Sequence, residues 1–153
     1  MAFGLIISII AILIVIIFIY YFNRLVVLSN RIDNSLSQID VQLKKRADLV
    51  PNLIETVKGY AKHEKKIIED VTKARAAMLK ASNIEGKVKA DNQLEKALKS
   101  IFAIAENYPN LKANENFLQL QNELSAIEDK VAYSRQFYND SILSYNNTVE
   151  SFP

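Results

Sequence analysis

The segment AFGLIISIIAILIVIIFIYYF, Ala2 to Phe22, carries no charge. At 1.5 Å of rise per residue it extends about 30 Å as a helix, the thickness of a bilayer's hydrocarbon core. A buried soluble helix is the rival reading, but a domain this small cannot hide a helix that is apolar all the way round. A cleavable signal peptide fits no better. No basic region precedes the run, it is too long, and no small-x-small cleavage site follows. Tyr20, Tyr21 and Phe22 close it with aromatic side chains suited to the membrane interface, and Arg24 marks the return to water. The sequence predicts an uncleaved single-pass anchor over residues 1–23 and a helical domain over 24–153. Arg24 and Arg31 follow the span and nothing basic precedes it except the amino terminus, which favours the cytoplasmic side of the membrane for the domain.

Only three glycines and three prolines punctuate the whole chain of 153 residues, too few for a strand-rich fold. The expected class is all-α. The apolar positions Leu28, Ile32, Leu36, Ile39, Leu43, Ala47, Val50, Ile54, Val57 and Ala61 advance by three or four residues throughout. Their phase does not slip at Pro51, so one helix bent at the proline is expected rather than two helices and a turn. The same helix is expected to run on to about Ala81. Gly86, free to take a positive φ, should lie in the connection that follows, before a helix from about Val88 to Asn107. A second connection, NYPNLKANENF, should end with Asn114 capping the last helix. That helix should turn Phe117, Leu120, Leu124, Ile127, Val131, Tyr138, Ile142, Tyr145 and Val149 inward. Short connections between long helices imply an antiparallel bundle.

The chemistry is sparse. There is no cysteine, hence no thiolate site. His63, the single histidine, stands among Lys62, Lys65 and Lys66, which repel a cation; a surface histidine is the plainer reading. No nucleophile elbow or phosphate loop occurs, and no cofactor is expected. A net charge of +2, with basic and acidic residues interleaved, gives no argument for nucleic acid.

Asp40, Arg46 and Asp48 form a charged cluster before Pro51. They fit helix-surface pairing, such as Asp40 with Lys44. They fit equally a role in which Asp48 and Asn52 satisfy backbone groups freed by Pro51, or meet Arg135. Tyr138-Asn139 and Tyr145-Asn146 recur at seven residues. The tyrosines suit a core with polar tips reaching water. The asparagines suit a helix–helix seam between subunits.

Three blocks resemble the LemA family of bacterial membrane proteins: Arg24 to Glu64 with IDVQLKKRADLVPNL at its heart, YPNLKANENFLQLQNEL, and EDKVAYSRQFYNDSILSYNNTVESFP. The resemblance implies a short amino-terminal tail, one transmembrane helix, a helical bundle and no known reaction. Its members are linked to envelope biology, to genes for membrane metalloproteases and, in one branch, to magnetosome membranes. Members often carry an aromatic where this chain has Leu36 and a basic residue where it has Ser29. Many also continue past the Phe-Pro pair at which this chain stops. Residues and resemblance together suggest a non-catalytic, membrane-anchored scaffold that contacts the lipid bilayer and forms a homo-oligomer. The alternative is an adaptor or sensory subunit of another membrane protein such as a metalloprotease.

Overall fold

The structure, a computed structural model, describes residues 2–151, so Phe152 and Pro153 of the third block lie outside it. The described residues form five helices and no strand: α1 (Ala2–Tyr60), α2 (Lys65–Lys80), α3 (Ile84–Ala105), α4 (Pro109–Lys112) and α5 (Glu115–Glu150). The chain gathers into two compact units.

The larger unit, residues 39–132, holds the apolar core. Along α1 the three-four spacing puts Leu43, Ala47, Val50, Leu53 and Val57 out of water. Val71, Ala74 and Met78 of α2, Leu94, Leu98 and Ile101 of α3, Leu111 of α4, and Phe117, Leu124 and Ile127 of α5 are among the residues buried with them. Each large side chain buried here is worth about 1.5–3 kcal/mol against exposure. Phe102 and Phe117 meet edge to face with ring centroids 6.0 Å apart, a favoured aromatic geometry.

Pro51 sits inside α1 with helix on both sides, as the unbroken phase implied. The expected run to Ala81 is wrong, however. The helix stops at Tyr60, the chain turns through residues 61–64, and α2 begins at Lys65. The apolar phase could not reveal the break, because Ala61 and Ile68 are seven residues apart and stay in step across the turn. Ala61 is fully buried, while Lys62 and His63 are exposed.

Gly86 is corrected too. No residue has a positive φ among those described, and Gly86 lies in the first turn of α3, which starts at Ile84. Asn83 is the cap, its side chain accepting a hydrogen bond from the Gly86 N–H at 2.8 Å. A β-carbon on Gly86 would lie 2.7 Å from that cap oxygen, so the glycine makes room for it. Asn114 caps α5 as expected, accepting from the Phe117 N–H at 3.0 Å. The second connection contains the short α4, with Pro109 at its start, where a missing N–H costs nothing.

The smaller unit comprises the described parts of residues 1–38 and 133–153. From Phe3 to Tyr20 every side chain is exposed, and none of this apolar stretch is covered by protein. Further along, Leu28 and Ser35 of α1 and Ser141 and Thr148 of α5 are buried. Tyr138, Ile142 and Tyr145 are half-buried, and Val149, expected inward, is 49 % exposed. Three of these buried residues carry small hydroxyls. Each bonds a carbonyl of its own helix, Ser35 to Ile32, Ser141 to Phe137 and Thr148 to Ser144, so none takes an unmet donor out of water.

Candidate functional site

The most concentrated chemistry in the larger unit surrounds α1 between Asp40 and Pro51. Arg46 projects from the apolar face and is 1 % exposed. Its guanidinium donates to Asp91 of α3 at 2.9 Å and to Glu128 of α5 at 3.3 Å. Asp91 is as deeply buried, whereas the Glu128 side chain is 40 % exposed. Lys99 approaches Glu128 at 3.6 Å and also pairs with Glu95 one turn earlier on α3. The hydrogen bond from Lys99 holds the Glu95 carboxyl below the usual carboxylate range, and the same bond pushes the Lys99 ammonium up. A cavity of about 140 Å³ lies against Arg46, Lys99, Ser125 and Glu128. Arg46 Nε has no hydrogen-bond partner among the described residues.

Asp40 pairs with Lys87 at the start of α3, 2.7 Å from Nζ, rather than with Lys44. The carbonyl of Ala47 loses its usual partner to Pro51, which has no N–H. Arg75 of α2 supplies the replacement, with Nε donating to that carbonyl at 2.8 Å. Asp48 and Asn52, which under one of the open readings would satisfy the freed group, are both exposed, and Arg75 takes that place. An ionised aspartate has no proton to give a carbonyl. Arg135 is half-buried and belongs to the smaller unit.

At the 61–64 turn, Tyr108 donates to Glu64 at 3.1 Å, and that bond pushes the phenol pKa up. Asn114 meanwhile donates to the Tyr60 hydroxyl at 3.1 Å. An open cleft of about 620 Å³ beside Asn52, Tyr60 and Asn114 offers amides and the carboxylates of Glu55 and Glu123, but no basic side chain. No group of three or more histidine, cysteine or acidic side chains that could hold a metal occurs among the described residues.

The structure thus separates the residues singled out in the sequence. Arg46 is the centre of a buried ionic group, Asp40 ties α1 to α3, and Pro51 is capped from α2. Tyr138 and Tyr145 are half-buried beside exposed Asn139 and Asn146. Tyr20, Phe22 and Arg24 are exposed and Tyr21 half-buried, with the Arg24 guanidinium 3.5 Å from the Tyr20 hydroxyl. Sequence reasoning missed Asp91, Glu128 and Arg75. Their signal was faint: a carboxylate or guanidinium on the inward phase of an otherwise apolar helix face.

Residues 35–153 match the LemA family. The chain is 29 % identical over 134 residues to Protein LemA of Metamycoplasma hominis, an alignment covering 85 % of this chain and 60 % of the relative. It is 22 % identical over 158 residues to Magnetosome protein MamQ 2 of Paramagnetospirillum magneticum, covering 86 % and 58 %. It is 24 % identical over 143 residues to Magnetosome protein MamQ of Magnetospirillum gryphiswaldense, covering 76 % and 53 %. The chain therefore spans between about half and three-fifths of the length of these relatives. With a family match over most of its length and an uncovered apolar helix ahead of it, this membrane-associated chain belongs to the LemA family.

Proposed function

We propose that the chain is a non-catalytic helical interaction protein, anchored in the bacterial cell membrane by residues 2–22 and assembling with copies of itself. One observation carries this reading. The stretch from Phe3 to Tyr20 is exposed on every side, and only lipid or other apolar helices can cover it. The charged groups of the larger unit support it, because they serve the fold: Arg46 and Lys99 balance Asp91 and Glu128, and Arg75 serves Pro51. Arg24 and Arg31 favour the cytoplasmic side for the domain.

The test is extraction of the full chain from membranes and measurement of its mass by light scattering in detergent or nanodiscs. Resistance to alkaline carbonate and a mass of several copies with no second protein are expected. Release by carbonate would overturn the anchor, and a monomeric mass would overturn self-assembly. A cysteine at exposed Lys89 should resist an impermeant thiol reagent in intact cells; ready labelling would put the domain outside.

A further inference from the structure

Away from buried Leu28 and Ser35, α1 carries a second, bare stripe. Tyr20, Asn23, Val27, Asn30, Asn34 and Ser37 follow at steps of 3, 4, 3, 4 and 3 residues, and all are exposed. Val41, 46 % exposed, comes next in the same phase. Alternating threes and fours average 3.5 residues, the period of a two-stranded coiled coil. The stripe holds no charge, although charged residues border it on both sides. Arg24, Arg31 and Gln38 follow its positions along one edge; Val26 and Asp33 precede them along the other. Arg31 and Asp33 make no ion pair within the chain among the described residues.

We propose that this stripe is a parallel, in-register seam between two copies of the chain, centred on Asn30. The inference rests on the self-assembly proposed above and names its surface. Two arguments select a second copy as the occupant. In a parallel two-fold pair, Val26 faces the partner's Arg31 and Asp33 faces the partner's Gln38, so no like charges meet; antiparallel pairing would set the arginine-bearing edges against each other. The seam also continues the apolar anchor within one helix. Copies inserted in one bilayer with one orientation bring their α1 helices side by side, parallel and at equal depth. Asn23, Asn30 and Asn34 make the seam weak, since asparagine at such positions costs stability while fixing register and strand number. Confinement to the membrane raises the effective concentration enough for a weak seam to form.

The chain has no cysteine, so single cysteines report contacts cleanly. Full-length variants Asn23→Cys, Asn30→Cys and Ser37→Cys, oxidised mildly in membranes, should give disulfide-linked dimers several-fold more readily than Ser29→Cys or Lys89→Cys, which lie off the stripe. Only residues meeting across a symmetric seam bring their Cα atoms within disulfide reach. Asn30→Leu, an exposed substitution that leaves the fold intact, should raise the dimer fraction. An oligomeric mass with no preference for positions 23, 30 and 37 would overturn the seam and leave self-assembly standing. A monomeric mass would overturn both, and an unchanged dimer fraction in Asn30→Leu would overturn the seam.

Discussion

Pro51 and the turn at residues 61–64 lie within fourteen residues of each other and behave in opposite ways. At Pro51 the local chemistry opposes a helix, and the helix continues. At 61–64 there is no proline and the apolar phase is kept, yet the helix ends. Tertiary contacts decide both cases. Around Pro51, Val50 and Leu53 are fully buried on either side of the ring, and Arg75 takes up the carbonyl the proline leaves free. At the turn, Lys62 and His63 stay exposed to water, while Tyr108 and Asn114 bond the groups around Ala61. A helix continues where its side chains and backbone find partners, and propensity is only the first term in that decision.

The comparison breaks most visibly if the tie holding α1 before the proline is cut. Asp91→Ala leaves Arg46 buried and short of its nearest partner, and should cost about 3–5 kcal/mol in denaturant unfolding. Amide exchange should then rise around Pro51 more than within α2. Uniform exchange would mean that the continuity of α1 does not depend on this tie.

Arg75→Leu should cost about 1–3 kcal/mol, the penalty for a buried carbonyl without a donor. The cost should shrink in a Pro51→Ala background, where an alanine N–H serves Ala47 again, and Pro51→Ala alone should keep or raise helix content by circular dichroism. Equal losses in both backgrounds would show that Arg75 acts through something other than the freed carbonyl.

Much of the fold was legible because period and phase are visible in sequence. Most α1 core positions, Asn114 as a cap and Pro51 inside a helix followed from spacing and side-chain chemistry, but the spacing named Ile54, which is half-buried, and passed over Leu53, which is fully buried. What was hidden depends on partners far along the chain. Nothing near Ala47 announces Arg75, 28 residues away. Ser35, Ser141 and Thr148 escaped because a search for apolar residues passes over small hydroxyls that satisfy themselves within their own helix. The turn at 61–64 escaped because it happens to preserve the seven-residue step.

The turn itself can be probed more gently. Tyr108→Phe should cost about 0.5–1.5 kcal/mol through the lost bond to Glu64. Gly59→Ala should stabilise by about 0.5–1 kcal/mol, because nothing lies within 4 Å of the added methyl. If tertiary partners set the stop, the α1 end seen by chemical shifts stays at Tyr60; an extension past Ala61 would return the decision to local propensity.

The smallest effect is electrostatic. Glu95, held below its ordinary 4.5 by the Lys99 hydrogen bond, adds stability above that value and loses it as pH falls through the depressed one. Glu95→Gln should flatten the acid limb of a stability–pH curve slightly, since the pair is largely solvated. An unchanged limb would show that the pair contributes nothing.

Arg46 has a further consequence for helices whose apolar residues repeat every few positions. Such helices could slide past one another by a turn, about 5.4 Å, and still bury oil against oil. A guanidinium reaching Asp91 on one helix and Glu128 on another does not tolerate that slide, because the move would strand three charges at once. Arg46 thus works as a detent. It selects one alignment among several that leucine and valine alone would leave nearly equal in energy.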